Sequence, residues 1–149
     1  DELTTGYSVT SDGHRALDST VIENGELKTY LLSLYGANKM GLPRAVNSGG
    51  CYVIDPGEQS FDEIIAGISE GIYINRFPGG RPSDRGDFSG VAKNSYYIRD
   101  GKIQFPIQET TVSGNLADLL KSVDGISSER LNSGSSILPW ISVSGVTAS

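Results

Sequence analysis

Two dipeptides constrain this chain more than any other feature: Asn24-Gly25 and Asp100-Gly101, each set between short runs of β-branched, aromatic and aliphatic residues. A two-residue type I′ turn needs positive φ at both central positions. Asn tolerates this and Gly adopts it freely, so such pairs are strong local signals for a β-hairpin. The first hairpin is expected within residues 19–33 and the second within 95–108. In the second, Ile103, Phe105 and Ile107 alternate with polar neighbours, which predicts one buried face. Pro106 has no amide hydrogen for a ladder, so this strand should lie at a sheet edge or be interrupted there. Superposing the turns aligns Ile22 with Ile98, Gly25 with Gly101, Leu27 with Ile103 and Leu31 with Ile107. Hairpins resemble one another for physical reasons, and we read the match as shared turn chemistry rather than duplication.

Two amphipathic helices are legible between the strands. Over residues 60–70, Phe61, Ile64, Ile65 and Ile68 fall on one helical face. Ser60 followed by Glu63 fits a capping box, Asp62 and Glu63 suit the positive end of the helix dipole, and Gly71 can close the last turn. The second helix has Asn115 as its cap, then Leu116, Leu119, Leu120 and Val123 as its apolar stripe, with Asp118 early, Lys121 late and Gly125 as its end. A shorter helical turn is expected over Leu34–Met40, stopped by Gly41 and Pro43. Further strands are expected over 50–54, 71–75 and 137–143, and loops over 77–87 and 127–136.

Strands outnumber helices, and tight turns imply antiparallel pairing. The fold class is therefore α+β and strand-dominated, a largely antiparallel curved sheet or barrel-like β domain with two or three short packed helices. A length of 149 residues suits one domain with a sizeable core. Nineteen Gly and six Pro fit many turns between short strands. No apolar stretch approaches the ~20 residues that cross a bilayer as a helix. A net charge of -6 repels phosphate backbones and anionic lipid, so neither nucleic acid nor membrane is an expected partner. The chain starts at Asp1 without a Met or a signal-peptide pattern, which suggests an excised piece.

The chemical inventory is spare. One Cys, Cys51, cannot form an internal disulfide, and one His, His14, leaves few nitrogen ligands for zinc. Nothing local pairs them as nucleophile and base, so Cys51 reads as a small buried hydrophobe in a short strand and His14 as a loop residue. The loop over 77–87, entered from Arg76, holds the strongest candidate cleft residues: Arg76, Gly79, Gly80, Arg81 and Asp87. Arginines with glycines could form an anion nest or a peptide-carboxylate clamp. A solvated connection that shapes a cleft is the plainer reading. Arg85-Gly86-Asp87 spells an adhesion tripeptide but is ordinary turn chemistry. Asp1, Glu2, Asp12, Asp18, Asp84 and Asp87 show no acid/base spacing, and no catalytic or metal residue is assigned.

Ordered landmarks run almost the whole length of the chain: Val21-Ile-Glu-Asn-Gly-Glu-Leu27, Ala37-Asn-Lys-Met-Gly41, Pro56-Gly57, Asp62-Glu-Ile-Ile65, Gly71-Ile-Tyr73, Gly79-Gly80, Gly86-Asp-Phe88, Ile98-Arg-Asp-Gly-Lys-Ile103 and Ser113-Gly-Asn115. Together they resemble the C-terminal domain of the TldD/PmbA family. That resemblance implies a cytoplasmic peptidase system, once named for modulation of DNA gyrase, that matures peptides and degrades unfolded substrates. It implies longer proteins with an N-terminal α/β domain, and pairing of a TldD type with a PmbA (TldE) type. In the TldD type it implies zinc held by a His-Glu-x-x-x-His helix and a Cys near the C-terminus, the Glu acting as general base. No His-Glu pair exists here, and the stretch 132–139, where that Cys would fall, offers Ser135 and Ser136, which are poor zinc ligands. The sequence thus looks closer to the PmbA side, with a TldD-like or identical subunit and an unfolded peptide as partners and no cofactor of its own. Two other readings stay open: part of an active zinc enzyme whose histidine helix lies upstream, with an Asp or Glu from here as third ligand, and a regulator that binds gyrase.

Overall fold

The structure is a computed structural model that describes residues 6–79 and 81–149. Its contacts group into two compact units, one of residues up to 55 with 131–138, the other of residues 56–130 with 139–149.

The first unit opens on the Asn-Gly hairpin. β1 (Ile22–Glu23) and β2 (Glu26–Leu27) pair antiparallel, with Ile22 opposite Leu27 and Glu23 opposite Glu26. Asn24 and Gly25 take φ of 49° and 77°, as the turn requires. The ladder extends only two residues to each side, because Ile22 and Leu27 are half exposed and find no core. α1 (Leu34–Met40) matches its expected bounds. The Ser33 side chain accepts the Gly36 N–H, and Gly41, at φ 65°, closes the helix with its N–H on the Ala37 carbonyl. Ala37, Ala45 and Ile137 form the small apolar core, with Thr10 buried in the same unit. Residues 50–54 make one parallel bridge, Val53 with Ile137, rather than the expected strand. Gly49 and Gly50 are both at positive φ and break the extended run just ahead of it.

The second unit begins with α2 (Phe61–Ala66), whose capping box is complete: Glu63 N–H donates to Ser60 Oγ at 3.2 Å, and Ser60 N–H donates to the Glu63 carboxylate at 2.7 Å. The helix ends at Ala66 rather than near Glu70. Glu70 already belongs to β3 (Glu70–Tyr73), which gains four ladder pairs with β5 (Tyr96–Arg99). β5 in turn pairs with β6 (Lys102–Pro106) across Asp100 and Gly101, at φ of 50° and 72°. The order is β3-β5-β6, which puts the Pro106 strand at an edge, and the register slips between Tyr96 and Ile98. The expected buried face of β6 is corrected: Ile103 and Phe105 are 41% and 57% exposed. The central strand is the one that buries its apolar residue, Ile98, directly opposite Ile103.

A second sheet, in order β10-β7-β4, joins β4 (Asp87–Ala92), β7 (Thr110–Asn115) and β10 (Thr147–Ala148). Its strands are short in large side chains and break the alternation rule. Rings supply the missing bulk. A Cβ on Gly90 would stand 2.6 Å from both Phe77 Cζ and the Gly79 Cα, and one on Gly114 would stand 3.1 Å from Phe88 Cζ. Phe77 and Phe88 meet edge to face at 6.1 Å, so aromatic faces cover the glycines.

α3 (Leu116–Lys121) is capped by Asn115, whose side-chain oxygen accepts the Ala117 N–H at 3.0 Å. It stops at Ser122, not Gly125, and buries none of its residues. The chain runs directly into β8 (Val123–Asn132), which takes over residues 127–132 of the expected loop and leaves 133–136 as the connection to β9 (Ile137–Val143), the latter as expected. The β1–β2, β3–β5–β6 and β10–β7–β4 pairings are antiparallel, and no sheet among the described residues closes into a barrel. The fold is strand-dominated α+β with three short helices.

Candidate functional site

The expected cleft loop is held down more firmly than its composition suggests. Arg76 and Lys93 exchange backbone hydrogen bonds of 3.1 and 2.8 Å, and Gly79 bridges Gly90, so the loop's first half is fastened along β4. Its second half is a turn organised by Ser83, whose Oγ accepts the N–H groups of Arg85 and Asp87 at 3.2 and 3.1 Å. Asn115 closes it from β7 by donating Nδ2 to the Arg85 carbonyl and to Asp87 Oδ1, both at 2.9 Å. Asp87 therefore serves as an internal acceptor. Asn115 links the turn to α3, a second role that its cap signature did not reveal. Arg85-Gly86-Asp87 is the turn chemistry expected, with Gly86 at φ 88°. Arg76 and Arg81 are exposed and make no ion pair with each other or with Asp87 among the described residues. Gly80 lies outside the described residues.

A concavity lies elsewhere, at the open end of the β5–β6 hairpin. It is an open groove of about 630 Å³ lined by Lys93, Ser95, Tyr96, Pro106, Ile107 and Glu109, among others. Ser95 is fully buried, its Oγ donating to the Lys93 carbonyl at 2.9 Å and its carbonyl accepting the Ile107 N–H at 2.9 Å. Lys93 Nζ and Glu109 Oε1 form an ion pair at 2.6 Å on the lining. Tyr96 leads inward along an aromatic row. Its ring stacks on Tyr73 at 6.3 Å, Tyr73 meets Phe61 edge-on at 5.4 Å, and Phe61 tilts against Trp140 at 5.3 Å. Of this site the sequence signalled Pro106 and, as an apolar position of the same strand, Ile107. Lys93 and Glu109 are sixteen positions apart, and their pairing leaves no local pattern.

The remaining polar clusters hold the fold. Asp12 accepts Thr10 Oγ1 at 2.6 Å and the Leu34 N–H at 3.0 Å, with Arg44 at 3.5 Å. The Thr10 hydroxyl, then the Leu34 amide and Arg44, hold its carboxyl below the usual range. Glu63 is lowered by the Ser60 amide and hydroxyl. Tyr97 is raised because its hydroxyl donates to Glu70 at 2.6 Å. Among the described residues no group of three or more His, Cys, Asp or Glu is placed to hold a metal ion. His14 is exposed, and Cys51 is half-buried outside any strand, not a fully buried strand residue. These residues do not fit the zinc that the resemblance implies for the TldD type. No helix among them is long and apolar enough to cross a membrane.

Taken by its site, then, this is a strand-rich domain with an open, aromatic-backed groove and no metal cage in its described part. Comparison with known proteins identifies it further. A family described as PmbA/TldA metallopeptidase C-terminal domain matches residues 2–149, and the chain belongs to that family. A protein named metalloprotease from Methanothermobacter thermautotrophicus is 35% identical over 135 residues, covering 83% of this chain and 30% of that protein. A metalloprotease PmbA homolog of Buchnera aphidicola is 33% identical over 133 residues, covering 84% of this chain and 30% of that protein. The crystal structure of a proposed modulator of DNA gyrase from Bacteroides thetaiotaomicron matches with a TM-score of 0.83 at 29% identity, over 98% of this chain and 33% of that one. The chain thus spans about a third of the length of these relatives.

Proposed function

We propose that this domain serves a cytoplasmic, PmbA-like member of the metallopeptidase family by holding extended peptide and contacting a partner subunit, TldD-like or identical, and that it does not cut by itself. The observation that carries the reading is the groove at the open end of the β5–β6 hairpin, set beside an edge strand. An extended peptide can satisfy its backbone groups on an exposed strand edge, while an apolar groove receives alternate side chains. Ile103 and Phe105 supply exposed apolar surface on that strand, and Tyr96 and Ile107 line the groove next to it. Hydrogen exchange in the intact protein tests this: saturating unfolded peptide should slow exchange across Lys102–Pro106. Protection absent there, with peptide demonstrably bound, contradicts the reading.

One alternative draws support from the relatives' names. As metalloproteases they imply a metal somewhere in proteins about three times longer than this chain. The histidine helix would then lie outside these residues, with a carboxylate from this domain as third ligand. Substituting each Asp and Glu here and measuring zinc content of the intact protein separates the two: our reading predicts no loss of zinc.

A further inference from the structure

We infer that Asn24 is a site of spontaneous deamidation and isoaspartate formation, and that the chemically similar Asp100-Gly101 turn is protected from the corresponding isomerisation by its packing. Asn24-Gly25 is the sequence's one Asn-Gly pair. In this chemistry the backbone nitrogen of Gly25 attacks Asn24 Cγ. The new N–Cγ bond closes a five-membered succinimide, the Cγ–Nδ2 bond breaks, and the nitrogen's proton leaves with ammonia. Water attacking Cγ breaks the new N–Cγ bond and gives aspartate, whereas water attacking the main-chain carbonyl carbon breaks the original peptide bond and leaves the chain linked through Cγ, as isoaspartate. The reaction needs an accessible, undonated amide nitrogen and enough local freedom to bring Cγ to it.

The first turn meets both conditions. Asn24 and Gly25 are exposed, and a Cβ on Gly25 would meet nothing within 4 Å. The Gly25 N–H makes no hydrogen bond among the described residues. Two ladder pairs form the hairpin, closed at its base by the Lys28 and Thr29 N–H groups on the Val21 carbonyl at 2.8 and 3.4 Å and by the Thr29 hydroxyl on the Thr20 carbonyl at 2.7 Å; near the tip the pair Glu23 with Glu26 sets like charges directly opposite, tempered by Lys28 between them. Local opening there costs little. The second turn has nearly the same dihedrals and the opposite surroundings. Gly101 N–H donates to the Ile68 carbonyl at 2.9 Å, Asp100 N–H donates to the Ser69 carbonyl at 2.8 Å, and a Cβ on Gly101 would stand 2.7 Å from the Ala66 carbonyl oxygen. The nucleophile is engaged and the turn is pinned. Reaction at Asn24 would also add a third carboxylate beside Glu23 and Glu26 and, in the isoaspartyl product, an extra backbone carbon, so it should be self-reinforcing in loosening β1–β2.

The test follows both turns by peptide mapping in the intact, folded protein and in short synthetic peptides spanning each turn. Isoaspartate is scored with a methyltransferase specific for that linkage. Asn24 should convert in the folded protein within a few-fold of its peptide rate, faster with rising alkalinity, whereas Asp100 should isomerise at least about tenfold more slowly than its peptide and reach the peptide rate on unfolding in urea. Asn24 staying intact in the folded protein while its peptide reacts, or Asp100 reacting as fast folded as unfolded, overturns the inference.

Discussion

Gly25 and Gly101 hold the same place in two like hairpins, and their surroundings set them apart. At Gly101 a side chain would meet two penalties: a φ of 72°, which is an outlier for a β-branched residue, and a carbonyl oxygen 2.7 Å from the new Cβ. Gly101→Val should lower unfolding stability by about 3 kcal/mol or more. Gly25→Val meets only the conformational penalty and should cost roughly 1–2 kcal/mol. Denaturant unfolding of the two variants checks this, and an unchanged midpoint for Gly101→Val would mean the second hairpin carries no such strain. Gly90 belongs to the same class by a different route. Its neighbours are the Gly79 backbone and the Phe77 ring, so Gly90→Ala should cost about 1–3 kcal/mol by overpacking alone. The two positive-φ turn glycines were readable in the sequence because Asn-Gly and Asp-Gly announce them. Gly90 was not, because what makes it necessary is a ring thirteen residues away.

At the scale of elements, ends were more legible than lengths. Ser60 with Glu63, Asn115 and Gly41 each mark a cap that forms as the side chains dictate, since capping is settled within one turn. Ser60→Ala should therefore cost about 1 kcal/mol in thermal unfolding, and Ser60→Thr should restore most of it. The Glu63 carboxyl is held below its ordinary value of 4.5 by the Ser60 amide and hydroxyl. Its contribution is present above that value and lost as pH falls through the lowered one, so Glu63→Gln should lower stability at neutral pH and flatten the acid arm, with variant and parent converging as pH falls below about 4.5. An acid arm identical to the parent's would mean the capping box is not formed in solution. Asp12, lowered by Thr10, Leu34 and Arg44, carries a dependence of the same sign. Lengths failed where tertiary pairing overrode local pattern. α2 yields Glu70 to β3, and β8 forms from a polar run that reads as loop. There, buried Ser127 accepts the Trp140 N–H at 2.8 Å and donates to the Glu129 carbonyl at 2.7 Å. β4 and β7 depend on rings seated over glycines, a device with no period to detect.

For the molecule as a whole, the family was legible because many weak landmarks stand in a fixed order along the chain. The groove was not, because it is assembled from residues 93–96 and 106–109, each segment unremarkable alone. The arginine loop drew attention by composition, yet its Gly79 fastens it to β4, and its Gly86 and Asp87 fasten it to Leu116 and the Asn115 cap of α3. An acidic chain with an exposed edge strand and an aromatic-backed groove suits an unfolded polypeptide better than nucleic acid. We propose that this domain holds peptide for a metal site that it does not itself build. Peptide hydrolysis by the purified domain, measured with and without added zinc, tests that most directly. The account predicts no turnover above background in either condition, and zinc-dependent turnover abolished by a chelator would contradict it.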